Sequence, residues 1–347
     1  MTTIVSGALL DYPFHGKVPE LRRDVLSRLR TWYETARITR REKRNRVPVE
    51  LHPLKPFRPL APHDLPLVFI THNDMAILPY FLRHYRALGV TRFICVDDVS
   101  GDGTREFLQR QADVDVWTSP IRYSEARRGR RWREQLFEIY GIDRWYVNVD
   151  SDELLIYDGC ETEGLAELIR LLEADGCQRL AAPMIDMYPG PQSVAPSAED
   201  GMPWQFSNCF DGSGYAYAFD KRGIMLQGGP RKRRFGEDNE LIKYPLIYWD
   251  RHCFFGSSPH RPLPYQRNFS PYWGVLLHFK FFINYREKIA EAAEGKQHYN
   301  NSEHYAAMMS ELRDAGGIDL AGEVSIPFRD ARQLIELGFM SPIDYRR

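Results

Sequence analysis

The sequence predicts an α/β fold, a mostly parallel sheet with helices on both faces, and three observations carry that prediction. Short apolar runs alternate with amphipathic segments from residue 65 to about residue 190, the pattern that builds parallel βαβ units. Each run is only four or five residues long, the length of a strand rather than of a helix. Acidic clusters follow the runs directly, at the strand ends where open α/β sheets take their ligands.

The first run, Leu67-Val68-Phe69-Ile70, reads as a buried strand and passes into Thr71-His72-Asn73-Asp74. Met75 to Leu88 has Ile77, Phe81, Leu82, Tyr85 and Leu88 near helical spacing, and Gly89 stops it in the usual role of a glycine after a helix. Phe93 to Val96 is the second strand. The loop from Asp97 to Gly103 ends at Thr104, which caps a helix over Arg105 to Gln111. Val114 to Trp117 is the third strand, and a basic helix follows from about Ser124 to Tyr140. The fourth strand, Trp145 to Val149, runs into Asp150-Ser151-Asp152-Glu153; a helix over Leu165 to Ala174 and a strand over Arg179 to Pro183 come next. Residues 187–273 are rich in aromatics, glycine and proline, and a helical region is expected from about Tyr285 to Ala315.

Ahead of the alternating region, Glu20 to Lys43 carries Leu21, Val25, Leu29, Trp32 and Tyr33 at the spacing of an amphipathic helix. Prolines 48, 53, 56, 59, 62 and 66 then mark a linker. From Lys17 to Arg58 there are thirteen Lys/Arg against five Asp/Glu, a local charge of +8. The plain reading is a solvated basic helix on the body; contact with anionic lipid or a charged glycan is the sharper one. The expected organisation is a basic N-terminal helical arm over 1–64, a main domain over 65–284 divided near residue 190, and a C-terminal helical region over 285–347.

Over the 347 residues, 46 Lys+Arg and 47 Asp+Glu leave a net charge of −1, with 43% apolar and 27% charged residues. This balance excludes a disordered polyelectrolyte and a globally basic nucleic-acid binder. The longest apolar stretches fall far short of the roughly 20 residues that cross a bilayer. Met1 to Gly16 lacks the basic start and apolar core of a signal peptide. Five cysteines are widely spaced without a CxxC pair. That disfavours a zinc knuckle and a disulfide framework, and suits free thiols in a reducing cytosol.

Three constellations carry chemistry. Asp150 and Asp152 lie two apart just past a strand, where two carboxylates converge on a hard cation such as Mn2+ or Mg2+. Thr71, His72 and Asn73 share a sheet edge with Asp97, Asp98 and Asp102. No GxGxxG and no GxxxxGK[ST] is present, so a nucleotide would be held by carboxylates and amides on its base and ribose, not by a glycine-rich phosphate loop. Between Gly228-Gly229 and Gly236 stand Arg231, Lys232, Arg233 and Arg234. They read as a diphosphate clamp or, more plainly, as a solvated basic turn. The run Arg127 to Arg133 suits surface or acceptor contact.

The order of Thr71-His72-Asn73-Asp74, the helix ending at Gly89, Asp98 to Thr104 and Val149-Asp150-Ser151-Asp152-Glu153 resembles glycosyltransferases of the GT-A (Rossmann-like) fold. The likeness is to the family 2-like group with a VDxDE form of the DxD motif. It covers residues 65–190, and Gly274 to Phe282 is similar to the end of that catalytic domain. The resemblance implies that Asp98 and the Thr71 loop hold base and ribose. It further implies that Asp150 and Asp152 hold the metal and diphosphate, with His278 completing the metal site and Lys280 neutralising the departing diphosphate. It implies sugar transfer, of inverting type, from a UDP- or GDP-sugar to a glycan, a lipid-linked glycan or another hydroxyl acceptor. The setting would be surface polysaccharide synthesis at the cytoplasmic face, with peripheral membrane contact through the basic arm. An inverting transfer needs a carboxylate base. Asp186 is the first candidate, then Glu237 and Asp238, then Asp250; the family's E-D pair has no unambiguous counterpart. The crowd of aromatics in the second half, Trp204, Tyr215, Trp249 and Trp273 among them, suits an acceptor cleft or plain core packing. A nucleotidyltransferase is the competing enzyme, though its glycine-rich loop is missing, and a non-catalytic nucleotide-sugar or glycan-binding scaffold is the competing class.

Overall fold

The computed structural model describes residues 7–14, 18, 21, 23–197, 199–295, 308–313 and 317–346. Parts of two expected segments, the amino-terminal arm (1–6, 15–17, 19–20 and 22, with 20 and 22 at the start of the helix expected from Glu20) and the C-terminal helical region (296–307, 314–316 and 347), lie outside the described residues.

The alternating region folds as strand β3 (Pro66–Thr71), helix α2 (Leu78–Ala87), β4 (Arg92–Asp97), α3 (Thr104–Arg110), β5 (Val114–Thr118), α4 (Arg130–Tyr140), β6 (Arg144–Asn148), β7 (Glu153–Ile156), α5 (Leu165–Ala174) and β8 (Arg179–Asp186). Before it come β1 (Leu10–Tyr12), α1 (Val25–Arg44) and β2 (His52–Pro53). After it come β9 (Cys209–Asp211), β10 (Tyr215–Asp220), β11 (Gly223–Gly228), α6 (Gly229–Phe235), β12 (Ile242–Trp249), β13 (Val275–His278), α7 (Tyr285–Gly295), β14 (Ser325–Pro327) and α8 (Ala331–Glu336).

Among the described residues, nine strands form one sheet in the order β2-β5-β4-β3-β6-β12-β8-β13-β7. The expected parallel set is β5-β4-β3-β6. The chain steps outward from β3 to β4 and β5, then returns to lay β6 on the other side of β3, with Leu67 opposite Val147. This reversal makes the carboxyl ends of β3 and β6 the topological switch point of the sheet, the place where its crevice opens. Beyond β6 the sheet is mixed. β12 is antiparallel to both β6 and β8, β13 is parallel to β8, and β7 closes the edge antiparallel to β13. Strands β12 and β13 come from the aromatic-rich half, where the strand–helix alternation that enforces parallel pairing has ended.

Side chains alternate across β3, so both faces are cored. Leu67 and Phe69 pack with Phe81 and Tyr85 of α2, Leu108 of α3 and Leu172 of α5. Val68 and Ile70 pack with Trp132, Leu136 and Phe137 of α4 on the opposite face. Three local expectations change. Helix α4 starts at Arg130 rather than Ser124, because Arg127, Arg128 and Gly129 take positive φ and break the helix before it. Strand β8 continues past Pro183 to Asp186, since Met184 to Asp186 pair with β13. The glycine-bracketed basic run is helix α6 rather than a flexible turn.

Described residues near both termini pack on the body. β1 pairs with β10, and Tyr12 and Phe14 are buried in the main core beside Trp273 and Phe339. β14 pairs with β9. All five cysteines are free thiols. Among the described residues, no helix is long and apolar enough to cross a membrane.

Candidate functional site

The loops after β3 and β4 are tied to each other by backbone-directed bonds. Gly101 N donates to Asn73 Oδ1 (2.8 Å), Asn73 N to Ser100 Oγ (3.0 Å), Met75 N to Asp102 Oδ2 (3.0 Å), and His72 Nδ1 to the Asp98 carbonyl (2.7 Å). Asn73 and Val99 sit at φ of 53° and 57°, a region that a β-branched residue rarely enters. Asp97 is buried against Arg105 (2.7 Å) and Asp98 against Arg122 (2.8 Å). The expected nucleotide residues therefore do share one edge. Thr71, Asp97 and Asp98 are buried, whereas His72 and Asn73 are half-buried.

The loop after β6 meets the loop after β3 across the switch point. Thr71 Oγ1 (2.8 Å) and Ser151 Oγ (2.5 Å) both donate to Asp74 Oδ2, and Lys288 of α7 holds the other oxygen. Asp150 is gripped on both sides, by Arg133 of α4 (2.5 Å) and Lys243 of β12 (2.5 Å). Lys243 also contacts Glu153, whose Oε2 accepts from Asp150 N (3.0 Å). Burial opposes charge on Asp150, but Lys243 and Arg133 outweigh it and lower its pKa. Glu153 is pushed the other way, chiefly by burial.

Glu153 on β7, His278 on β13 and Asp186 on β8 are cross-strand partners, so their side chains share one face of the sheet. From this row a relay runs inward. His278 Nε2 lies 3.2 Å from Asp152 Oδ2, and its Nδ1 lies 2.5 Å from Asp186 Oδ1. Asp186 Oδ2 accepts from Arg231 Nε (2.7 Å), and Arg231 Nη1 reaches Glu237 Oε2 (3.2 Å). Burial disfavours a charged His278, but the carboxylates on its two nitrogens win and raise its pKa to about 9. Burial likewise opposes charge on Asp152 and Asp186, yet His278 for the first and Arg231 with His278 for the second hold both well below the usual carboxylate range. Lys280 and Lys288 add to the lowering at Asp152.

Of the four cations on α6, only Arg231 enters this relay. A seven-residue helix turns successive side chains about 100° apart. Lys232 thus faces Asp238 (2.5 Å) on the surface, Arg233 faces Asp211 (2.9 Å), and Arg234 faces Glu311 (2.9 Å). The clamp expected of Arg231, Lys232 and Arg234 is not assembled. Asp250 pairs with Arg267 (2.6 Å), apart from the relay. Asp74, part of the expected Thr71–Asp74 loop, joins the site, and so do Arg133, Lys243 and Lys288, which carry no expected role there. Lys243 alone gave a signal, a lysine inside an apolar strand pattern; Arg133 is one of several arginines on its helix.

Among the described residues, no group of three or more His, Cys, Asp and Glu side chains is gathered as a metal cage. The donor set still fits one hard cation in part. Asp152 and His278 face each other, and a carboxylate behind Nδ1 is the arrangement that orients a ligating histidine. Asp150 fits less well, since both its oxygens are already paired with cations.

The fold and site together define a mixed α/β protein whose acidic and basic side chains converge at the switch point of its sheet. No family model and no curated protein matches the chain. Several solved structures are distantly similar, three of them as follows. The mannosyltransferase PcManGT from Pyrobaculum calidifontis, in complex with GDP-Man and Mn2+, is 17% identical over 46% of this chain and 44% of its own, with a TM-score of 0.27. The UDP-glucose pyrophosphorylase from Acinetobacter baumanii is 11% identical over 72% of this chain and 99% of its own, with a TM-score of 0.28. The 4-diphosphocytidyl-2C-methyl-D-erythritol synthase is 14% identical over 54% of this chain and 75% of its own, with a TM-score of 0.24. The chain spans less than half the length of the mannosyltransferase, and likenesses this slight carry no argument about activity.

Proposed function

We propose that this chain is a metal-dependent glycosyltransferase that moves a sugar from a UDP- or GDP-sugar to a hydroxyl of a glycan or lipid-linked glycan. The observation that supports this reading is the meeting of Asp152 with His278 beside the Asp74–Lys288 pair, where the loop after β6 reaches from the switch point to the end of β13, with Lys280 near enough to lower the Asp152 pKa. A site with both signs of charge suits a cation and a diphosphate bound together. Asp152 and His278 would hold Mn2+ or Mg2+, with donor phosphates and water filling the remaining positions. When bound, that ion draws charge from the diphosphate leaving group.

The chain's own residues do the rest. Asp186 fixes the His278 ring through Nδ1 and so aims Nε2 at Asp152. Arg133 and Lys243 lock Asp150, which shapes the loop that carries Asp152. Lys280 and Lys288 stabilise the negative charge that grows as the sugar–phosphate bond breaks. The Thr71 loop and Asp98 border the place of base and ribose. For the acceptor proton, Glu237 is better suited than Asp186. Both oxygens of Asp186 are engaged and its proton affinity is depressed. Glu237 is fixed through Oε2 by Arg231 and Asn239, while its Oε1 has no hydrogen-bond partner among the described residues. Asp238 is exposed and paired with Lys232.

The test is a panel of nucleotide sugars, reading release of UDP or GDP with Mn2+ and with EDTA. Metal-dependent release that disappears in Asp152→Asn and His278→Ala is expected. Formation of a nucleoside triphosphate from the sugar nucleotide and pyrophosphate would make the chain a nucleotidyltransferase. Metal-dependent nucleotide binding without turnover would make it a scaffold.

A further inference from the structure

Helix α1 is attached to the body by its polar face. Thr31, Glu34, Ile38 and Glu42 are buried. Glu34 holds Arg222 (2.7 Å), Glu42 holds Arg131 (3.1 Å), and Thr35 Oγ1 donates to Gln266 (3.0 Å). The apolar stripe therefore points outward. Val25 is 74% exposed, Leu26 56%, Leu29 57%, Trp32 63% and Tyr33 66%. An amphipathic helix that buried its apolar face would show the reverse.

Charge on the outward side is of one sign. Helix α1 contains seven Lys/Arg, and its only acidic residues are Glu34 and Glu42, both buried. On the helical wheel, Arg28 borders the apolar stripe on one side and Arg30 and Arg37 on the other. Arg40, Lys43 and Arg44 continue it toward the C-terminus. Beside Trp32 and Ala36, a groove of about 370 Å³ separates α1 from residues 251–267; Lys43, Arg251, His252 and Arg267 line it, and among the described residues no carboxylate does.

We infer that α1 docks the protein on an anionic phospholipid surface, its apolar stripe in the interface and its cations against the headgroup phosphates. Charge complementarity selects this occupant. A second copy seated on the same face would set arginine against arginine, with no carboxylate on the helix face to answer it. Aromatic and leucine side chains rimmed by arginines match the depth profile of a bilayer interface, where Trp and Tyr settle at headgroup level. The inference does not depend on the catalytic reading.

The experiment is co-sedimentation of the whole protein with vesicles of phosphatidylcholine alone and of phosphatidylcholine with phosphatidylglycerol. Binding to the anionic vesicles only, weakening as salt rises, is expected. The double variant Leu29→Ser/Trp32→Ser should bind at least about tenfold more weakly. Arg40→Gln/Arg44→Gln should lose about fivefold per charge removed. All four side chains are exposed, so urea midpoints should not move. If one double variant fails to fold, the other and the salt titration of the unaltered protein decide. Equal binding to neutral vesicles, or none to either, overturns the inference. So does a self-association in solution that Leu29→Ser/Trp32→Ser abolishes, which would make a second copy the occupant.

Discussion

Lys243 lies between Ile242 and Tyr244 in strand β12, with its ammonium against Asp150 and Glu153. Burial works against its charge, but the two carboxylates outweigh this and raise its pKa, so it stays charged. Lys243→Met would leave Glu153 buried without its partner. The expected loss is about 3 kcal/mol of stability, at the lower end for a broken buried pair because Asp150 is partly hydrated. Urea unfolding measures it, and adding Glu153→Gln should recover part of the loss. Asp186 and Glu237 flank the same guanidinium, yet their assigned roles separate them kinetically. Asp186→Asn should weaken the apparent affinity for Mn2+ about 10- to 100-fold, by loosening the His278 ring. Glu237→Gln should lower kcat about 10²- to 10⁴-fold with the Mn2+ requirement unchanged. A single metal titration of donor turnover in both variants tests the assignment.

Among the elements, α1 is held in part by a buried acid, Glu34. Arg37 and Arg222 bond the Glu34 carboxylate; burial opposes them and loses, and its pKa falls from 4.5 to about 2. A depressed folded pKa stabilises the native state fully above the unfolded value and loses that contribution as pH falls through the folded one. Docking of α1 should therefore weaken between about pH 4.5 and pH 2. Urea unfolding across this range should show the slope, and Glu34→Gln should flatten it. Helix α6 teaches the opposite lesson about charge runs. Four adjacent cations looked like one clamp, but helical geometry sends them to Asp186, Asp238, Asp211 and Glu311 in turn.

At the scale of the whole molecule, one aromatic cluster joins Tyr12, Phe14 and Phe339, from opposite halves of the chain, to the sheet. Tyr12 and Phe339 rings stand 5.3 Å apart, and Phe14 meets Trp273 at 5.7 Å just before β13. The residues expected as an arm and a tail thus add to the core that supports His278. Phe339→Ala should cost about 3–5 kcal/mol. The loss should appear in one cooperative transition by circular dichroism and tryptophan fluorescence alike; two separated transitions would show that the ends unfold alone.

The parallel half of the sheet was legible because each strand there is a short apolar run joined to the next by a helix, although β6 returns to pair with β3 rather than with β5. Thr71 to Asp74, Asp97 to Asp102 and Asp150 to Glu153 were legible as loops along one edge of the sheet for the same reason, since a βαβ chain puts every such loop on one edge. The amphipathic period of α1 was legible too. Which way that helix faces was not, because periodicity defines a stripe without saying what covers it, and here buried ion pairs with Arg131 and Arg222 hold the polar side in. Nor could the sequence place β12 and β13, whose partners lie far away in the chain, and with them Lys243 against Asp150 or His278 between Asp152 and Asp186. By itself the sequence determined an α/β chain with acidic loops along one edge of its sheet. Only the tertiary structure decided which cations meet those acids, because long-range strand register and desolvation, not local spacing, select the partner of a buried charge.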